Sequence, residues 1–289
     1  MAKSIVYFTK DTSSQGALKL MENLGVDLPG KVAVKLHSGE VGNQNYLRPE
    51  FCKPIVERVN GTVVECNTAY DGGRDTTEKH WKTLELHGWS HYFTVDLLDA
   101  EGPDTELEIP NGVQIKKNFV GKNIANYDSM LVLSHFKGHP MGGFGGALKQ
   151  LSIGVASSYG KKYIHGAGDT DAFWTTEQDR FIESMADAAS TVVKYFDGKL
   201  AYVSAMVNMS VDCDCCEVAE DPCMADIGIL ASLDPVAIDQ ACLDIVRASD
   251  DPGRDHLLER IDSRHGPHII DAAVALGIGS KEYELICVD

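Results

Sequence analysis

Short apolar runs alternate with helical patterns along the whole chain. Ser4 to Phe8 reads as a strand, and Ser13 to Leu24 as a helix with Ser13 at its N-cap and Gly25 as its terminator. Lys31 to Leu36 is a second strand. Arg48-Pro49-Glu50 opens a helix to Val59, with Pro54 able to shift its start by a turn. After Gly61, Thr62 to Cys66 is a strand, and Asp75-x-x-Glu78 has the form of a capping box before a helix to His87. Leu98 to Val120, punctuated by Gly102, Pro103, Pro110 and Gly112, reads as a β-hairpin or an irregular excursion. Tyr127 to Ser134 is the clearest buried strand. Ala147 to Ala156 reads as helical. Thr175-x-x-Gln178 opens the longest helix, in which Phe181, Ile182, Met185, Ala189, Val192, Val193 and Phe196 keep helical spacing up to Gly198. Leu200 to Met209 and Asp226 to Ala231 are strands, and Asp234-Pro235 caps a helix through Val246. A last helix, Ile269 to Leu276, ends at Gly277 before a strand over Tyr283 to Val288. This alternation predicts an α/β fold with a mixed, largely parallel sheet flanked by helices.

The chain has 289 residues, which fits one domain over residues 1–289 or two intimately packed halves. It has no repeat of fixed period and no linker-like tract. With Lys+Arg 26 and Asp+Glu 43 the formal net charge is −17, which would repel the phosphate backbone of nucleic acids and anionic membranes. The start has no apolar core of signal-peptide length and no window approaches a membrane span, so a cytoplasmic protein is expected. Eight cysteines are present, and Cys213, Cys215, Cys216 and Cys223 crowd together. In a reducing compartment such crowding points to metal or thiol chemistry more than to disulfides.

Sites in open α/β sheets lie beyond the carboxyl ends of the strands. There this chain carries Lys35 and His37, then His135, Lys137 and His139, spaced by two so that each set faces one side if extended. Imidazoles would hold a metal or move a proton, and the lysines would anchor a small anionic molecule; the bland alternative is two solvated basic loops. Gly142-Gly143-Phe144-Gly145-Gly146 precedes a helix carrying Lys149. The backbone N–H groups of Gly143, Gly145 and Gly146, with Lys149, would bind an anionic cofactor at a helix N-terminus, or the glycines would serve a tight turn. The run matches neither a Walker loop nor a dinucleotide fingerprint, so no nucleotide cofactor is supported. Cys213, Cys215 and Cys223 form a three-thiolate platform for an iron–sulfur cluster or a single iron or zinc ion, with a loop His or an external species as fourth ligand; structural thiols are the alternative. Cys52, Cys66, Cys242 and Cys287 read as core residues.

Several of these segments together resemble the family catalogued as domain of unknown function 362, in its iron–sulfur-associated branch. They are Val32 to Glu40 with Gly42-Asn43 and Leu47-Arg48-Pro49; Ser134 to His139 with Gly143 to Lys149; Asp212-Cys213-Asp214-Cys215; Asp226 to Ser232 with Asp234 to Asp239; and Leu276 to Ser280 with Tyr283-Glu284-Leu285. The resemblance implies iron–sulfur association, with a ferredoxin-like segment that many relatives insert after the position of His165. Here Gly166 to Thr176 runs into the long helix without a cysteine. Two functions are expected from different classes. One is a redox or metal-assisted enzyme acting on a small anionic molecule, with a redox protein as a conceivable partner. The other is a non-catalytic metal-binding or partner-binding protein that lost the ferredoxin segment.

Overall fold

The computed structural model describes residues 3–289; Met1 and Ala2, which open the expected 1–289 domain, lie outside the described residues. The strands in chain order are β1 (Ser4–Thr9), β2 (Val32–Lys35), β3 (Thr62–Glu65), β4 (Val95–Leu97), β5 (Thr105–Glu108), β6 (Lys117–Val120), β7 (Ser129–His135), β8 (Lys137–His139), β9 (Gly143–Gly145), β10 (Leu200–Met206), β11 (Gly228–Ser232) and β12 (Tyr283–Cys287). Eight form one sheet in the order β12-β1-β11-β10-β7-β2-β3-β4, while β5 pairs with β6 and β8 with β9 in separate hairpins. Within the large sheet β11 runs antiparallel to β1 and β10, and every other adjacent pair is parallel. The expected mixed, largely parallel α/β sheet is therefore what forms.

Helices cover both faces, which is why all seven residues of β7 and of β10 are buried. Alternate strand residues serve opposite faces. Val34, Leu131 and Val203 meet Leu20, Met21 and Ile55 of the helices Ser14–Leu24 and Pro49–Arg58. Ala33, Val132 and Tyr202 meet Ile182, Met185, Ala189 and Ile238 of the helices Gln178–Phe196 and Pro235–Ala248. Among the described residues no helix is long and apolar enough to cross a membrane.

Local chemistry sets several boundaries as expected. Asp234 accepts the N–H groups of Val236 and Ala237 at 2.8 and 3.0 Å with Pro235 in the first helical position, and Gly25 ends its helix at φ 66°. Two caps differ from expectation. Thr76, not Asp75, caps the helix Thr77–Leu86 by accepting from Lys79 N, because the Asp75 carboxylate is drawn to the Lys79 ammonium instead. The long helix starts at Gln178, where the Glu177 side chain accepts the N–H groups of Asp179 and Arg180. The helix expected over Ala147 to Ala156 is a short α turn, Ala147–Lys149, widened into a π turn over Gln150–Gly154. Helices Ser158–His165 and Arg254–Ser263 were not marked by the periodicity. Cys52, Cys66 and Cys242 are buried as expected, but Cys287 is exposed because β12 is an edge strand.

From β2 the chain steps to β3 and β4 at one edge, then returns to place β7 on the other side of β2. The crevice beyond the carboxyl ends of β2 and β7 is thus the point where strand order reverses, where such sheets bind ligands.

Candidate functional site

Adjacent strands β3, β2, β7 and β10 deliver Glu65, Lys35, His135 and the 213–216 loop to that crevice. The loop is pinned through its own carbonyls. Asn43 Nδ2 donates to Cys213 O and Cys216 O at 3.2 and 2.9 Å, Tyr70 OH to Cys215 O at 3.0 Å, and Glu40 N to Asp214 O at 2.8 Å. Cys216 N closes the turn onto Cys213 O at 2.9 Å.

The expected basic loops are not solvated. Lys35 Nζ sits 2.6 Å from Glu65, and both are buried. Glu65 also accepts from Ser38 N and Oγ and lies 3.7 Å from Arg74, which pairs with Glu40 at 3.2 Å. Burial works against the Glu65 charge, but Lys35, His37 and Arg74 outweigh it and hold the carboxyl below its usual range. Lys137 Nζ and His135 Nδ1 converge on Asp214 at 2.6 and 2.9 Å. There too burial is outweighed, by His135 and Lys137, and the carboxyl is held low. His135 Nε2 faces Val207 O at 2.6 Å, so both ring nitrogens meet acceptors and each needs a proton to bond. Lys35, His135 and Lys137, expected to face a ligand, are thus held by buried carboxylates, with Lys35 also lining the cleft. His37 is half-buried in the crevice, with Nδ1 accepting from Gly39 N at 3.0 Å and Nε2 3.5 Å from Arg74.

The metal expectation is sharpened. His139, Cys213 and Cys215 place one ligand atom each within 4.8 Å of one another and could hold a metal ion. Cys223 is elsewhere, its thiol donating to Met209 O at 3.3 Å, because the chain turns away after the 213–216 loop. Cys213 Sγ accepts Cys215 N at 3.4 Å and lies 3.8 Å from Lys149 Nζ. Burial opposes its ionisation, but the Cys215 hydrogen bond and the Lys149 and Lys137 charges lower the Cys213 pKa, while the same hydrogen bond raises that of Cys215. His139 Nδ1 accepts the N–H groups of Met141 and Gly142 at 3.2 and 2.8 Å. Burial and Lys149 lower its pKa to about 4, so the neutral ring carries its proton on Nε2, 3.7 Å from Cys215 Sγ.

The glycine run does not cradle an external anion. Gly143 and Gly145 lie in β9, paired with β8. The helix N-terminus beyond Gly146 is filled by Asp239, whose carboxylate accepts Ala147 N and Leu148 N at 2.7 and 2.9 Å. A side chain at Gly146 would run into that carboxylate, one at Gly145 would meet Lys137 Cε at 3.3 Å, and one at Gly143 would meet Gly266 Cα at 2.6 Å. These glycines serve close backbone approach.

Lys149, by contrast, faces a cleft of about 270 Å³ that also receives His37, Arg74, His139, Cys215 and Cys216. Two residues there were missed: Lys161, whose Nζ donates to Ala156 O at 2.6 Å, and His165, whose Nδ1 donates to Lys161 O at 2.7 Å. Both sit on the helix Ser158–His165, capped by Ser157, whose Oγ accepts Gly160 N. That cap, with Lys161 and His165 spaced by four, was the available signal.

The fold and site define an α/β protein with a crevice at the topological switch point, beside a Cys/His group that could hold a metal ion. The sequence matches the family Domain of unknown function (DUF362) over residues 32–244, and the chain belongs to that family. No curated protein matches the sequence. Among solved structures, the lactate racemase apoprotein from Thermoanaerobacterium thermosaccharolyticum is similar with a TM-score of 0.43 and 13% identity, covering 71% of this chain and 51% of its own. A structural-genomics protein from Thermotoga maritima is similar with a TM-score of 0.45 and 12% identity, covering 86% and 58%. The chain thus spans little more than half the length of either.

Proposed function

We propose that this chain is an enzyme of redox or metal-assisted type, in which Cys213, Cys215 and His139 hold a single metal ion and Lys149 draws a small anionic molecule into the cleft. The observation that supports it is the convergence of those three ligand atoms within 4.8 Å, with His139 and Cys215 lining the cleft. Two sulfurs and one imidazole suit a thiophilic ion such as zinc, or iron, with a fourth position left toward the cleft. An iron–sulfur cluster generally takes four protein ligands, and Cys223 is not placed to complete such a set. A bound ion would polarise an oxygen of the substrate as a Lewis acid. The protein's own part is to orient Cys213 and Cys215 through the pinned loop, to keep Lys149 beside Cys213, and to hold the cleft floor rigid with the buried ion pairs.

A second reading, metal-free thiol chemistry at Cys213, is favoured by one contact. His139 Nδ1 accepts two backbone N–H groups, so in the neutral ring Nε2 carries the proton, and binding a metal there would require that proton to leave. Metal analysis of protein purified anaerobically, with the zinc and iron affinities of the metal-free form, separates the two. Stoichiometric metal that falls at least tenfold in affinity in Cys215→Ser and His139→Ala, and is unchanged in Cys223→Ser, supports the first. Metal-free protein with no affinity in the micromolar range would overturn it.

A further inference from the structure

We infer that the anion accepted by the proposed cleft is amphipathic, an acid group on an apolar body such as an aromatic carboxylate. This rests on the reading of that cleft as an anion site and sharpens it. In a chain of net charge −17, the charged groups lining the cleft are Lys35, Arg74, Lys149 and Lys161 against Glu65 alone. Lys35 and Arg74 are held by carboxylates, but among the described residues the Lys149 ammonium hydrogen-bonds only to the Cys213 sulfur and the Lys161 ammonium only to the Ala156 carbonyl. Lys161 is 7% exposed and forms no ion pair among the described residues, a cation taken out of water without a partner of its own. A ligand carboxylate supplies that partner.

Another part of the cleft lining is apolar and aromatic. Phe173 stacks on His165 with centroids 4.5 Å apart, and Trp174 packs edge-on to Phe173 at 4.4 Å. Met141 and Ile153 continue the wall. Trp174 is 71% exposed at the mouth, a large aromatic face left to water where a ligand body would cover it. An inorganic anion or acetate would satisfy the lysines and leave this wall wet, and a neutral aromatic would do the reverse.

The test is isothermal titration calorimetry of the full chain with 2-naphthoate, acetate and 2-naphthylmethanol. The expected result is saturable 2-naphthoate binding at least tenfold tighter than either comparison probe, weakened at least tenfold in Lys149→Met/Lys161→Met and severalfold in Trp174→Ala. No 2-naphthoate binding at millimolar concentration, equal binding of acetate or of the alcohol, or binding unmoved by the lysine changes would each overturn the inference. The three probes decide the matter on the parent protein even if the double variant does not fold. Metal content and affinity are measured in the absence of any aromatic probe, and the three probes are titrated separately on the same parent protein, so the metal reading and this one fail separately.

Discussion

Replacing Asp214 by Asn removes one charge from the centre of the site and keeps its shape. The carboxylate is 1% exposed and lies 2.6 Å from Lys137 Nζ and 2.9 Å from His135 Nδ1. At an effective dielectric constant near 20, the attraction to Lys137 alone is roughly 6 kcal/mol. Most of that offsets the cost of taking the charges out of water, so the net loss on removing one partner is about 3–5 kcal/mol. In a protein of this size about 1 kcal/mol moves Tm by roughly 2–3 °C, so a fall of about 6–15 °C is expected. Lys137→Met in the same background should recover about 2 kcal/mol relative to additivity, because it removes the cation left stranded. The sign of the pH dependence is fixed as well. Asp214 is held below its unfolded pKa, so its contribution is present above that value and disappears as pH falls through the folded one. The parent should therefore lose stability in acid more steeply than Asp214→Asn. Denaturant unfolding at pH 7, and from pH 4 down to pH 2, measures both effects. An Asp214→Asn protein within 1 kcal/mol of the parent at pH 7, with the same acid limb, would refute the buried-pair argument.

Asp239 carries the opposite dependence. Burial raises its pKa to about 7 despite the Leu148 and Ala147 N–H bonds, so the native state holds a proton that the unfolded chain releases above about pH 4. Stability should fall between pH 4 and 7, and Asp239→Asn should flatten that slope, as denaturant midpoints at pH 5 and 7.5 would report. Gly146→Ala places a methyl group against the Asp239 carboxylate and should cost at least about 2 kcal/mol in thermal unfolding; a neutral result would mean the backbone there has room. A thiol reagent should modify Cys215 and Cys216, which line the cleft, in the native protein at pH 7, while the buried Cys52, Cys66 and Cys242, whose thiols burial pushes up, react only on unfolding. Equal rates for all five, followed by mass spectrometry, would contradict the placement of Cys215 and Cys216 at the cleft.

What the sequence by itself determined is local and periodic. Apolar runs such as Met130 to Leu133 specify strands buried on both faces, Asp234-Pro235 starts a helix because both residues act on their own neighbours, and Gly25 ends one by adopting φ 66°. The strand ends also pointed to Lys35, His37, His135, Lys137, His139, Cys213 and Cys215 as candidates, and β2 and β7, which carry Lys35 and His135, are neighbours in the sheet. Only the tertiary structure decided which of these groups face each other. Lys35 and Lys137 became ion-pair partners because Glu65 and Asp214, 30 and 77 positions away, occupy the same low-dielectric floor, where a lone ammonium would be costly. The helix N-terminus behind Gly146 took its anion from Asp239, 92 positions from Ala147. His139 joined the cysteines while Cys223 left them, and Lys161 and His165 reached the cleft on a helix too short to show its period. Charge pairing across such separations depends on distance in space, and distance in space is fixed by packing, which no local pattern records.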